Sequence, residues 1–259
     1  MAVRAVAGLR RAALAVAAIL ATARCAPAPP VDPSAFFSAA AEPGEARIDS
    51  LRTWMASGRM DADIDGRRGL GRMRVLYARP ERVRADIELG GAFGLLGSRA
   101  ILWVDAEAAY WQEGANEPVR VAADEILAPV LGGAVGVRDL ELLLFGLARL
   151  RARWPAGTRI EVRADGGDVM VRALLPGGMI EEATVSGRPP ALRRLERRDA
   201  GGRTVLVARF DRMREIGGVL APARVELKAP VAGNRLLLEW SIQKADQDLP
   251  EDARDWPLP

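Results

Sequence analysis

Histidine is absent from this 259-residue chain. That removes the commonest general base near neutral pH and the commonest transition-metal ligand. Cysteine occurs once, at Cys25, so no disulfide can form within the chain and a cysteine-based zinc site is excluded. Carboxylates alone could in principle carry catalysis, but no spacing of Asp and Glu announces it; we expect no enzyme, no catalytic residues, no cofactor and no metal. Lysine is confined to Lys228 and Lys244; arginine supplies the rest of the basic charge. With 37 basic residues against 34 acidic ones and the two signs interleaved along the chain, no nucleic-acid footprint is present. Only one long apolar run exists, at 12–23.

That run is too short to span a bilayer, and Arg4, Arg10 and Arg11 precede it, the order of a secretory signal. Cys25 stands at its end, where an exported lipoprotein carries its lipid anchor, although Arg24 occupies a position where processing prefers a small residue. The alternative is ordinary cleavage after Ala21-Thr22-Ala23, leaving a soluble periplasmic protein. Residues 26–43 contain five prolines and read as a tether. One domain over 44–245 and a polar tail over 246–259 complete the expected organisation.

Within the domain, Ile48, Leu51 and Met55 recur at helical spacing, which predicts a short helix ending at Gly58. The period then becomes two. Met60, Ala62 and Ile64 alternate with charge, as do Met73, Val75 and Tyr77, and then Val83, Ala85, Ile87 and Leu89. Such strands have one dry and one wet face and favour antiparallel sheet. A hairpin over 101–113 follows. Helical period returns with Ile126, Leu127, Val130 and Leu131, then over 138–151, where Leu140, Leu142, Leu143, Leu144, Phe145, Leu147 and Leu150 cover most of the perimeter. A helix this apolar is buried on two sides. Seven further strand patterns run from 159 to 245, punctuated by Asp165-Gly166-Gly167, Pro176-Gly177-Gly178 and Gly201-Gly202. The predicted fold is mainly β with inserted helices: an unclosed, strongly curved antiparallel half-barrel of about 11–12 strands, its concave face covered by helices.

Several local patterns carry less than they suggest. Asp61, Asp63 and Asp65 open like a calcium loop, but the twelfth position is Arg72 rather than the required glutamate; a wet strand face explains them. Arg193, Arg194, Arg197 and Arg198 read as an outer strand face with interspersed charge. Residues 90–98 differ. They place Phe93, Leu95 and Leu96 on a glycine-rich connection between strands, where bulky apolar side chains are costly without a partner. The loop either folds over the barrel end or forms a wedge for a bilayer interface or acyl chain.

Four segments resemble LolB and LolB-like outer-membrane lipoproteins: Trp54-Met55-Ala56-Ser57-Gly58, Leu96-Gly97-Ser98, Ala123-Asp124-Glu125-Ile126-Leu127 and Arg138-Asp139-Leu140 through Phe145-Gly146-Leu147. The resemblance covers most of 45–245. It implies a hydrophobic cavity that accepts acyl chains and an outer-membrane, periplasm-facing location. Implied partners are acylated proteins or lipids, with a periplasmic carrier that hands them over to a monomer. It also implies that Leu96, with Leu95 and Phe93, promotes membrane insertion. The expected cavity lining is Met60, Ile64, Met73, Val75, Val83, Ile87, Leu140, Leu143, Leu144 and Leu147. The same alternation would arise from a solid core serving an envelope scaffold. The two readings separate at one position: with a carrier, Leu96→Glu abolishes lipoprotein delivery in a reconstituted transfer assay while the protein stays folded, and with a scaffold it has little effect.

Overall fold

The computed structural model describes residues 30–78, 82–91, 99–104, 109–121 and 138–246. Seven strands come first: β1 (Pro30–Val31), β2 (Thr53–Ile64), β3 (Arg67–Ala78), β4 (Arg82–Gly91), β5 (Arg99–Val104), β6 (Ala109–Glu113) and β7 (Val119–Val121). Seven more follow: β8 (Arg159–Asp165), β9 (Asp168–Leu174), β10 (Ile180–Ser186), β11 (Ala191–Arg198), β12 (Thr204–Ile216), β13 (Val219–Ala229) and β14 (Asn234–Ala245). Helices α1 (Pro33–Ala40) and α2 (Glu42–Ser50) precede β2, and α3 (Arg138–Phe145) precedes β8.

Among the described residues, all fourteen strands form one antiparallel sheet in the order β1-β8-β9-β10-β11-β12-β13-β14-β2-β3-β4-β5-β6-β7. Two meanders therefore meet where β14 pairs with β2, through Leu238 opposite Met60 and Leu236 opposite Ala62. The edges β1 and β7 do not pair, so the sheet stays open. This order places α3. The chain leaves β7 at one edge and re-enters at β8, beside the other edge, and α3, just before β8, packs on the inner face of the sheet.

The half-barrel agrees with the sequence reading, and its two extra strands, β1 and β7, are too short to alternate legibly. Other boundaries move. The helix expected to end at Gly58 stops at Ser50, because Trp54, Ala56, Met60 and Ala62 already alternate as the dry face of β2. The tether expected over 26–43 is helical from Pro33, with Pro33 in the first turn and Asp32 capping through the Ser34 N–H at 3.0 Å. Its Phe37 is fully buried against Trp154, edge to face, with ring centroids 5.9 Å apart. Strands β12 and β13 extend to a hairpin turn at Gly217-Gly218, whose φ angles are +55° and +82°. Their alternation is broken at Arg212 (φ +54°), although the β12–β13 register continues without an inserted residue, and Pro222 hides the strand from a propensity reading. Asp246, assigned to the tail, accepts from the Arg52 N–H at 2.9 Å and pairs with Arg47 at 3.2 Å, so it belongs to the folded unit. The helical stripe at 126–131 lies outside the described residues.

Helix α3 is fixed twice. Its last residue, Phe145, sits edge-on to Trp54 of β2 at 5.1 Å and to Tyr77 of β3 at 5.4 Å. Its first turn holds Asp139, which accepts from Arg197 of β11 at 2.9 and 3.2 Å. Arg197 also donates to Glu181 of β10 at 2.8 Å, and Trp154 donates to the same carboxylate at 2.6 Å. Arg153 bridges Asp139 and Glu181. Two guanidinium and two carboxylate groups are thus buried together, with balanced charge. Burial alone would lower the pKa of Arg197, but Asp139 and Glu181 outweigh it and the value is raised. Arg197 is the exception to the expected outer arginine run: it shares the inner parity of Leu195, whereas Arg194 and Arg198 face out and pair with Glu196. At the other end of α3, Arg149 joins Glu141 at 3.0 Å to Asp49 of α2 at 2.9 Å.

Three stability predictions follow from this packing. Removing one member of a balanced buried cluster strands the remaining charge, so Glu181→Ala should destabilise by about 3–5 kcal/mol. Asp61→Ala, on the wet face, should cost less than about 1 kcal/mol; urea unfolding followed by tryptophan fluorescence measures both. A Cβ at Gly58 would lie 2.0 Å from the Glu239 carbonyl oxygen. Gly58→Ala should therefore cost about 1–3 kcal/mol or more in the same assay.

Candidate functional site

The inner face of β2, β3 and β4 is dictated by pairing. Gly58 lies opposite Met73, and Met73 opposite Ile87; Ala56 lies opposite Val75, and Val75 opposite Ala85. Tyr77 faces Val83. These strands meet α3, so that all ten residues expected to line a cavity either belong to one apolar cluster or pack against it. Met60, Val75, Val83, Leu143, Leu144 and Leu147 are buried within it. Ile64, Met73, Ile87 and Leu140 are only partly buried at its margin.

Burial is therefore graded along the sheet. At the Trp54–Tyr77 end the space is filled: Trp54, Tyr77, Phe145 and Leu142 are no more than 1 % exposed. Toward the β2–β3 turn at Asp65-Gly66, the inner positions of β3 are Gly69 and Gly71, opposite Ala62 and Met60. Two successive inner positions thus carry no side chain and form a strip on the dry face with partly buried Met73 and Ile87, Gly69 itself being covered. Aliphatic and methionine side chains border this strip, and such walls adapt to a flexible apolar chain. Both meanders contribute to the cluster, since Leu236 and Leu238 of β14 and Val225 of β13 belong to it.

The sequence reading missed three things here. The closed end is aromatic, although aromatics are only 5 % of the chain, because pairing of β2 with β3 brings Trp54 beside Tyr77. The charge cluster under α3 needed the register of β10 with β11, which sets Glu181 opposite Arg197. Gly69 and Gly71 carry no periodic signal of their own. Of the remaining expected site residues, Cys25 and the loop residues Phe93, Leu95 and Leu96 lie outside the described residues. The strands that flank the loop are described: β4 ends with Gly91 opposite Gly69, on the side of the β2–β3 turn. No described helix is long and apolar enough to cross a membrane.

No known family profile matches the chain, and no curated protein matches it. Solved structures do. A DUF1329 family protein from Desulfovibrio piger superposes with a TM-score of 0.60 at 11 % identity, covering 80 % of this chain and 91 % of the other. A putative outer membrane lipoprotein-sorting protein domain from Vibrio parahaemolyticus gives 0.58 at 12 % identity, over 82 % and 92 %. A LolA superfamily protein from Nitrosomonas europaea gives 0.53 at 14 % identity, over 82 % and 96 %. At such identities the likeness is one of fold. It extends to the LolA/LolB-like architecture and does not single out LolB: this chain has a LolA/LolB-like fold.

Proposed function

We propose that this protein is a non-enzymatic carrier or receptor that binds acyl chains on the inner face of its half-barrel and handles acylated proteins at the outer membrane. The observation that carries the reading is the glycine-floored, methionine-bordered strip at Gly69, Gly71, Met73 and Ile87, continuous with the core under α3. The likeness to a lipoprotein-sorting domain supports it. In this reading Cys25 carries the lipid anchor on the periplasmic side of that membrane. Phe93, Leu95 and Leu96 form the wedge that inserts the cargo, which a periplasmic carrier protein delivers to the monomer.

The strip is too shallow to bury a whole acyl chain, and the adjoining inner face is occupied by Leu142, Leu143 and Leu144. A long chain and these side chains cannot share that face, so α3 moves aside when the chain enters. Exposing three such side chains costs roughly 5–9 kcal/mol, and burying about a dozen methylenes at about 0.8 kcal/mol each offsets it. The exchange is close to balanced, which suits a protein that must both take up and release its cargo.

The same filled inner face favours a second reading, an envelope scaffold or assembly protein that keeps the fold without lipid transport. Native mass spectrometry of the protein with an acylated peptide separates them. Stoichiometric binding that is lost in Ile87→Asp, a change at a partly buried position, is the expected result. No binding by the folded protein would overturn the carrier reading in favour of the scaffold.

A further inference from the structure

The opposite face of the same strands carries a second feature, unrelated to the acyl strip. Between the end of β12 and strands β2 to β5 lies a groove of about 850 Å³. Its walls include six arginines, Arg59, Arg72, Arg74, Arg99, Arg212 and Arg214, against three carboxylates, Asp86, Glu88 and Glu239. The arginines on β2 and β3 alternate with core residues: Arg59 precedes Met60, and Arg72 and Arg74 flank Met73. The charged side chains of the groove thus lie on the face opposite the acyl strip, although Gly58, Met73 and Trp240 also border it. Arg212, at φ +54°, reaches it from β12.

Two of the carboxylates are shared among more arginines than they can neutralise. Asp86 serves Arg74 at 2.8 Å, Arg84 at 3.0 Å and Arg99 at 3.6 Å. Glu239 serves Arg59, with Arg212 at 3.5 Å and Arg224 at 3.7 Å. The hydrogen bond from Arg59, opposed by slight burial and reinforced by Arg212 and Arg224, holds Glu239 below the usual carboxylate range, so it is already charged at neutral pH. Among the described residues Arg72 and Arg214 make no ion pair. Arg72 stands opposite Arg59 across the β2–β3 pairing and opposite Glu88 across the β3–β4 pairing, so one like and one unlike charge flank it.

We infer that this groove is a binding site for a phosphate-bearing ligand, held by Arg72 and Arg214 with Arg59 and Arg212 closing around it. Guanidinium groups recognise phosphate oxygens through paired charge-assisted hydrogen bonds. The groove's excess of three positive charges over its carboxylates suits a dianionic monoester or an anionic headgroup. Its volume admits an esterified phosphate rather than only the bare ion. The phosphate could come from a soluble ester or from a phospholipid headgroup, and the test distinguishes them.

The full-length protein is titrated with glycerol 3-phosphate by calorimetry. It is also sedimented with phosphatidylcholine vesicles that lack or contain phosphatidylglycerol. Arg72→Gln/Arg214→Gln is compared with Arg203→Gln, an exposed site elsewhere; the single variants replace the double one should it fail to fold. Binding of glycerol 3-phosphate that weakens about tenfold or more on loss of the two arginines, with the control unchanged, supports a soluble ligand. The same loss seen only with the anionic vesicles supports a headgroup. No binding of either probe, or binding that the arginine variants leave intact, overturns the site. Acyl-peptide binding by the same variants should be unchanged, so failure here leaves the carrier reading standing.

Discussion

The buried cluster of Asp139, Glu181, Arg153 and Arg197 is the interaction on which the rest of the architecture turns. A helix laid across an open sheet by a long connection has no backbone pairing to hold it, and apolar contact alone does not fix its direction. The cluster supplies direction. Asp139 in the first turn of α3 can meet Arg197 only if the helix enters over β10 and β11. Phe145 can then reach the Trp54–Tyr77 pair only if it exits over β2 and β3. The cost of burying four charges is offset by mutual attraction and hydrogen bonds, and what the fold gains is one orientation rather than simple stability.

The same cluster ties the amino-terminal helices into this arrangement. Trp154 donates to Glu181 while packing against Phe37 of α1, and Arg149 links α3 to α2 through Asp49 and Glu141. The three helices therefore form one layer whose attachment to the sheet is ionic at one end and aromatic at the other. Between the two attachments the contact is aliphatic and undirected, through Leu142, Leu143 and Leu144. In the proposed carrier reading, that is where an acyl chain competes, because one hydrocarbon surface replaces another.

Much of the sheet was legible in the chain because its pattern is local. Met60, Ala62 and Ile64, or Val83, Ala85 and Ile87, show period two whatever they pair with, and glycine-rich turns bound most strands. The burial of α3 was equally visible from its near-continuous leucines. What escaped depended on register or on distant partners. Glu181 and Arg197 are ordinary strand charges until pairing sets them face to face beneath a helix. The dry strip at Gly69 and Gly71 exists only because neighbouring strands supply its borders, and the arginine groove brings together residues more than 150 positions apart, such as Arg59 and Arg212. Pro33 and its neighbours read as a tether because proline composition outweighed the single buried Phe37.

The central claim is that α3 and an acyl chain occupy the same inner face in turn. Hydrogen–deuterium exchange of the backbone amides of Leu142, Leu143 and Leu144, with and without an acylated peptide, tests it most directly. The account predicts that these amides exchange faster when the ligand is bound, while those of β10 and β11 are unchanged. Amides of α3 that become more protected, or stay as they were while the ligand binds, would contradict it.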